Sequence, residues 1–131
     1  MSSLFTRIVQ GEIPCHKLAE DDRFLAFLDI RPIRLGHALV IPKEEIDYFF
    51  DLDDERIGDI MRFAKPVAKA IEHVVPCKRV GVIVVGLEVP HAHVHLVPIE
   101  QIGDINFAHA RAVDDEALAA TAEKIRAVLT G

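Results

Sequence analysis

The apolar residues of this chain recur at spacings that divide it into distinct elements. Leu4, Phe5, Ile8 and Val9 fall at helical spacing and predict a short amphipathic helix that stops at Gly11 and Pro14. Phe24 to Ile30 (FLAFLDI) predicts a strand closed by Pro32, and His37 to Ile41 (HALVI) a second, entered through Gly36 and left through Pro42. From about Asp53 to Val75 the stripe Ile57, Ile60, Met61, Ala64, Val67, Ala68 and Ile71 predicts the main helix, with acids from Asp51 to Glu55 at its positive end. Pro66 lies inside that stripe and predicts a kink or a break into two pieces. Val80 to Val85 (VGVIVV) is too apolar for one solvated face and predicts a buried strand. Ala92 to Val97 is the last strand. Asp114 or Asp115 can cap a final helix carrying Leu118, Ala119, Ala122, Ile125, Val128 and Leu129 on one side. The pattern is that of an α+β domain on a mostly antiparallel sheet, with no repeat or linker, so residues 1–131 are read as one domain.

Composition narrows the partners. Half the residues are hydrophobic and 27% are charged, the balance of a soluble globular protein. A formal net charge of −6 argues against a nucleic-acid binder, which needs a basic surface to displace phosphate counterions. It leaves room for a small anionic ligand in a locally positive pocket. No run approaches the ~18–20 apolar residues that span a bilayer, so no membrane partner is expected. The first residues lack a basic stretch followed by an apolar one, and the cytoplasm is the expected location. Cys15 and Cys77 are far apart and read as reduced, buried thiols.

The chemistry is concentrated in Val89 to Pro98 (VPHAHVHLVP). On a strand, His91, His93 and His95 share one face while Ala92, Val94 and Leu96 share the other. Three imidazoles in a row are costly to bury unless each finds a partner. One reading is a solvated face that happens to carry histidine. A second is a metal site, since His-x-His is a good pair of zinc ligands. A strand rise of ~3.3 Å per residue separates the outer two Cα atoms by about 13 Å, so one ion takes two neighbours and hardly all three. The third is nucleophilic and acid–base chemistry. A neutral imidazole, with a reference pKa near 6.5, can attack phosphorus, and flanking histidines can orient it, donate to phosphate oxygens and protonate a leaving group.

The segment His91-Ala-His93-Val-His95-Leu-Val matches the defining pattern of the histidine triad (HIT) family of nucleotide hydrolases and transferases, which this chain resembles. Phe5-Thr-Arg-Ile8-Val9-Gln-Gly11-Glu12-Ile13-Pro14 is similar to that family's opening segment. Phe27-Leu-Asp29-Ile30-Arg-Pro32 and Gly36-His37-Ala-Leu-Val-Ile-Pro42-Lys43 follow in the family's order. The resemblance spans roughly residues 3–98, and the C-terminal 30 or so residues match nothing. It implies a HIT-like fold, a mostly antiparallel five-stranded sheet with a main helix and a C-terminal helix. It also implies attack at the α-phosphate of a nucleoside phosphoramidate or dinucleoside polyphosphate, through a covalent nucleotidyl-histidine, releasing a nucleoside monophosphate. By that resemblance His93 is the nucleophile and His95 contacts the phosphate, while His91 and His37 form the hydrogen-bonded support that fixes the tautomer of the nucleophile. Leu4, Phe5, Ile8, Phe27 and Ile30 wall the base pocket, Asp29 accepts from the ribose hydroxyls, and Glu88 and Val89 complete the nucleotide site. Read without the family, Phe5 and Phe27 are plain core residues and Asp29 a turn acid. His16, His73 and His109 read as surface or structural. The resemblance further implies a homodimer joined through one continuous sheet, which would cover an open edge.

Three departures from the family pattern stand out. Where relatives carry Gly-Gln-Ser/Thr-Val before the triad, this chain has Gly86-Leu87-Glu88-Val89, a carboxylate in place of a hydroxyl. Val85 stands where an asparagine is common. Ser3, Thr6 and Glu45 replace the two cysteines and the histidine that bind structural zinc in many relatives, so no metal or other cofactor is expected. Two alternatives stay open: a nucleotide-binding module with little turnover, and a metal-dependent hydrolase using a His-x-His pair.

Overall fold

The computed structural model describes residues 2–131. In chain order it contains α1 (Leu4–Val9), β1 (Lys17–Glu20), β2 (Phe24–Leu28), β3 (Ala38–Pro42), α2 (Asp54–Val74), β4 (Arg79–Ile83), β5 (Val94–Ile99) and α3 (Asp115–Thr130). The five strands form one sheet in the order β1-β2-β3-β5-β4, and every neighbouring pair is antiparallel. No helix among the described residues is long and apolar enough to cross a membrane.

One face of the sheet is covered by the two long helices. Ile60, Val67 and Ile71 of α2, with Leu118, Ala122 and Ile125 of α3, pack on Phe24, Ala26, Leu28, Val40, Val94 and Leu96. Asp53 caps α2 by accepting from the Arg56 amide at 2.8 Å. Asp114, rather than Asp115, caps α3. The opposite face, formed by Leu25, Phe27, Leu39 and Ile41, is closed by Phe5 of α1. Both faces of β2 and β3 are therefore dry, which is why their sequences are apolar without alternation.

Four expectations change. The edge strand β1 is absent from the hydrophobic pattern, because Leu18 is the one fully buried residue in a polar tetrapeptide. β4 is the other edge and is not buried: it pairs only with β5, and Val82 is 51% exposed. It also ends at Ile83, two residues short of the apolar run. The last strand begins at Val94, so His91, Ala92 and His93 lie in the segment leading into it, where the Ala92 amide donates to Ile46 at 2.6 Å. Finally, α2 runs unbroken through Pro66. Pro66 and Arg62, whose carbonyl loses its partner, are both exposed, so water can satisfy that group. Met61, counted in the apolar stripe, also faces outward.

Candidate active site

The site forms where β5 meets β3 on the face closed by α1. Strand register pairs His95 with Leu39 and Leu39 with Phe27, which places this histidine on the apolar face opposite the long helices. His37 immediately precedes β3. The bend that delivers it needs Gly36, whose φ is +108° and whose Cβ, if present, would lie 2.8 Å from Val75. Phe5 stacks edge-on against Phe27, His91 and His93, with ring centroids 5.7, 5.8 and 5.1 Å apart. All four histidines are buried.

Main-chain groups assign the protons of His37, His91 and His93, and His37 in turn assigns that of His95. The Ile33 amide donates to His37 Nδ1 at 3.0 Å, so neutral His37 carries its hydrogen on Nε2. That Nε2–H donates to His95 Nδ1 at 2.9 Å, which leaves the His95 proton on Nε2. His93 donates from Nδ1 to the carbonyl of His91 at 2.7 Å, so its Nε2 keeps a free lone pair. His91 donates from Nε2 to the Pro42 carbonyl and accepts at Nδ1 from Ser3, both at 2.8 Å. The result is a row in which His93 presents an unshared electron pair and His95 an N–H, with ring centroids 4.9 Å apart. Among the described residues no buried side-chain nitrogen or oxygen lacks a partner, so these two unbonded Nε2 atoms are the ones that reach the cavity.

The support differs from the expected one in a specific way. The His93 tautomer is set by the backbone carbonyl of His91, and the His37 side chain bonds to His95 instead of His93. Burial holds both members of that pair neutral: His37 is lowered to about 3 and His95 to about 4, in each case by desolvation first and by neighbouring histidines second. Desolvation also lowers His91.

A pocket of about 570 Å³ opens in front of His93 and His95. Leu4, Phe5, Ile8, Phe27, Asp29, Ile30, Glu88 and Val89 all line it, while His37 and His91 stand behind it. The Asp29 carboxylate is anchored by the Arg31 amide at 2.9 Å and lies 3.7 Å from His37 Nε2. Burial raises its pKa, and the charge of Glu88 adds to the effect. His16, His73 and His109 lie apart from the row; His16 bonds Asp115 at 2.8 Å.

Sequence reasoning missed the C-terminal wall. Phe107, in the 3-10 turn Phe107–His109, lies 4.8 Å from His95 between ring centroids and lines the pocket with Ala108 and Ala110. The segment is tied down by the Arg111 and Val113 amides, which donate to Pro32 and Ile30. A lone aromatic in a segment without periodicity was the only available signal.

Two side-chain groups bear on metal binding. Asp29, His37 and His95 bring one ligand atom each within 4.8 Å of one another. The His37 lone pair is taken by the Ile33 amide and the His95 Nδ1 lone pair by His37, so neither imidazole offers a free donor there. At the zinc position of many relatives, Glu45 accepts from the Ser3 amide and the Thr6 hydroxyl, both at 2.6 Å. These bonds, the Ser3 amide foremost, hold its carboxyl below the usual range. Ser3 Oγ accepts from the Thr6 amide at 3.0 Å while donating to His91. Two hydroxyls and a committed carboxylate do not fit zinc, which takes thiolate, imidazole or a free carboxylate. Here a hydrogen-bonded clamp joins α1 to the histidine row.

Comparison with known proteins places this arrangement. A family model described as HIT domain matches residues 10–102. An adenosine 5'-monophosphoramidase of Schizosaccharomyces pombe is 47% identical over 100 residues, 75% of this chain and 74% of that protein. The structure of a HIT-like protein from Bartonella henselae superposes with a TM-score of 0.85 at 30% identity, covering 97% of this chain and 96% of its own. A zinc-bound histidine triad family protein from Mycobacterium smegmatis gives a TM-score of 0.83 at 29% identity over 99% and 94% of the two chains.

Proposed function

This chain belongs to the histidine triad family, and from that premise we propose that it hydrolyses nucleoside phosphoramidates through a nucleotidyl-histidine intermediate. The observation that carries the reading is the pairing of a free Nε2 lone pair on His93 with an Nε2–H on His95 at the floor of one pocket. The Schizosaccharomyces pombe relative, an adenosine 5'-monophosphoramidase, supplies the substrate class.

In this reading the base lies among Leu4, Phe5, Ile8, Phe27 and Ile30, and Asp29 accepts from the ribose hydroxyls. The His93 lone pair attacks the α-phosphorus and forms an N–P bond. The bond from phosphorus to the leaving nitrogen breaks, and that nitrogen keeps the electron pair and takes a proton from water. His95 Nε2–H donates to a phosphoryl oxygen and stabilises the charge that develops there. Water then attacks phosphorus and gives up a proton to the hydroxide left by the first step, the N–P bond to His93 breaks, and its electron pair returns to Nε2 as nucleoside monophosphate leaves. His37 holds the His95 proton on the cavity side, and the His91 carbonyl holds the other proton of the row away from the reacting nitrogen. No metal is assigned a step, because the lone pairs of His37, His91 and His95 are already engaged and His93 alone of the row offers a free one, too few imidazole ligands for a metal site.

The test is release of AMP from adenosine 5'-phosphoramidate with and without chelator. Chelator-insensitive release is expected. Loss of activity on chelation, restored by a stoichiometric metal, overturns the metal-free mechanism. AMP binding without turnover instead supports the binding-module reading.

The protein is further proposed to act as a homodimer joined along β4. That strand has one free edge, and Val82, Val84, Val85 and Leu87 are exposed on and beyond it. An apolar open edge invites pairing with a second copy. Analytical ultracentrifugation should show a dimer that Val82→Lys shifts toward monomer; a monomeric wild type at micromolar concentration excludes the arrangement.

A further inference from the structure

We propose that Glu88 selects the charge of the leaving group, favouring a short alkyl chain that ends in an ammonium and disfavouring an anionic group. The inference rests on the hydrolase reading and extends it to the half of the substrate that the nucleoside pocket does not hold.

A second cavity of about 150 Å³ adjoins the large pocket and shares Glu88, His93, His95 and Phe107 with it. A phosphate at the two histidines has the nucleoside on one side and this cleft on the other. Among the described residues, and apart from the histidines, Glu88 is the only titratable side chain lining the cleft, and no lysine or arginine does so. Val85 and Leu87 add apolar wall, and Phe107 an aromatic ring. Alkyl carbon suits Val85 and Leu87, while a terminal cation suits both the carboxylate and the ring. The small volume limits the occupant to a short chain. A leaving polyphosphate, in contrast, would set several negative charges beside Glu88, with Asp29 close enough to feel the same carboxylate. The family's hydroxyl at this position carries no charge and makes no such distinction. Because Glu88 is exposed, solvent moderates the effect, and a discrimination of about tenfold between cation and anion is expected.

Three adenosine 5'-phosphoramidates of matched length test this: those of 1,4-diaminobutane, butylamine and 4-aminobutyrate, whose free ends are cationic, neutral and anionic. The wild type should show the highest kcat/KM for the cationic conjugate, about tenfold above the anionic one. In Glu88→Gln that ratio should fall to within about threefold; being internal to each enzyme, it is insensitive to a general loss of activity. A wild-type ratio near one overturns the proposal. An unchanged ratio in Glu88→Gln does so as well, since the preference would then come from Asp29 or from the protein's overall charge. Dissociation constants of the same conjugates with His93→Ala read the same order without turnover. If the wild type hydrolyses none of them, the hydrolase reading fails, while this binding order still decides the role of Glu88.

Discussion

Replacing His93 by alanine is expected to reduce turnover of an adenosine phosphoramidate by at least about a thousandfold, with AMP affinity changed only a few-fold. The expectation follows from how the row is wired. His93 is the one histidine of the four whose ring presents an unshared pair to the pocket, because its other nitrogen is committed to the His91 carbonyl. His95 presents a hydrogen instead and cannot take over as nucleophile without breaking its bond to His37. The residues proposed to wall the nucleoside lie on α1 and on or just beyond β2. Although Phe5 stacks on the His93 ring, the rest of that wall is held by other contacts, so binding should largely persist. Steady-state kinetics beside calorimetric titration with AMP separates the two quantities, and a thermal unfolding midpoint checks that Phe5 keeps its packing. More than a tenth of wild-type turnover in His93→Ala would remove His93 from the nucleophile's role.

Acidification from pH 6.5 to 4.5 is expected to cost the fold about 3–5 kcal/mol, a large part of the roughly 5–15 kcal/mol typical of a domain. His37 and His95 have folded pKa values of about 3 and about 4, against 6.5 in the unfolded chain. Below pH 6.5 the unfolded chain therefore binds protons that the folded chain refuses. Stability is fully present above that pH and drains as pH falls toward the folded values, at up to about 1.4 kcal/mol per unit for each imidazole. His91, also lowered by burial, acts in the same direction. Asp29, raised by burial, opposes it, since its folded carboxyl binds a proton more readily than the unfolded one. The carboxylates held low by partners, such as Glu20 and Asp59, begin to lose their contribution only as pH falls through the ordinary carboxylate range, so the histidines dominate the change above that range. Urea midpoints at pH 7, 5.5 and 4.5 provide the measurement, and His37→Asn should flatten the slope. A midpoint that does not move over that range would mean that the pair is solvated and readily protonated.

Much of this molecule is legible in the order of its residues. The helices α1, α2 and α3 follow from apolar periodicity and acidic caps, and their bounds shift by only a residue or two. β2 and β3 follow from short apolar runs closed by proline or glycine. The alternation His91-Ala-His93-Val-His95 distinguishes Val94 and Leu96, which enter the helix-covered core, from the imidazoles on the other side. Where reading along the chain fails, the missing information is the partner. Val80 to Val85 looks buried because its apolarity is local, but an edge strand is defined by what does not lie beside it. Lys17 to Glu20 looks like loop because its place in the sheet is conferred by β2. Phe107 carries no pattern at all, yet it lies against His95 because backbone bonds to Ile30 and Pro32 carry its segment over the pocket.

By itself, then, the sequence determined the α+β class, the family and the identity of the four histidines, because periodicity and motif are properties of neighbours along the chain. The tertiary structure alone decided which nitrogen of each imidazole bears the proton. That depends on the amide of Ile33 and the carbonyls of His91 and Pro42, and on hydroxyls 85 and 88 residues away on α1 and its cap. It also decided that Glu88 shares a cleft with Phe107, a juxtaposition no spacing encodes. Proton placement is set by hydrogen-bond partners across space, and those exist only once the strands have paired and α1 has closed over them.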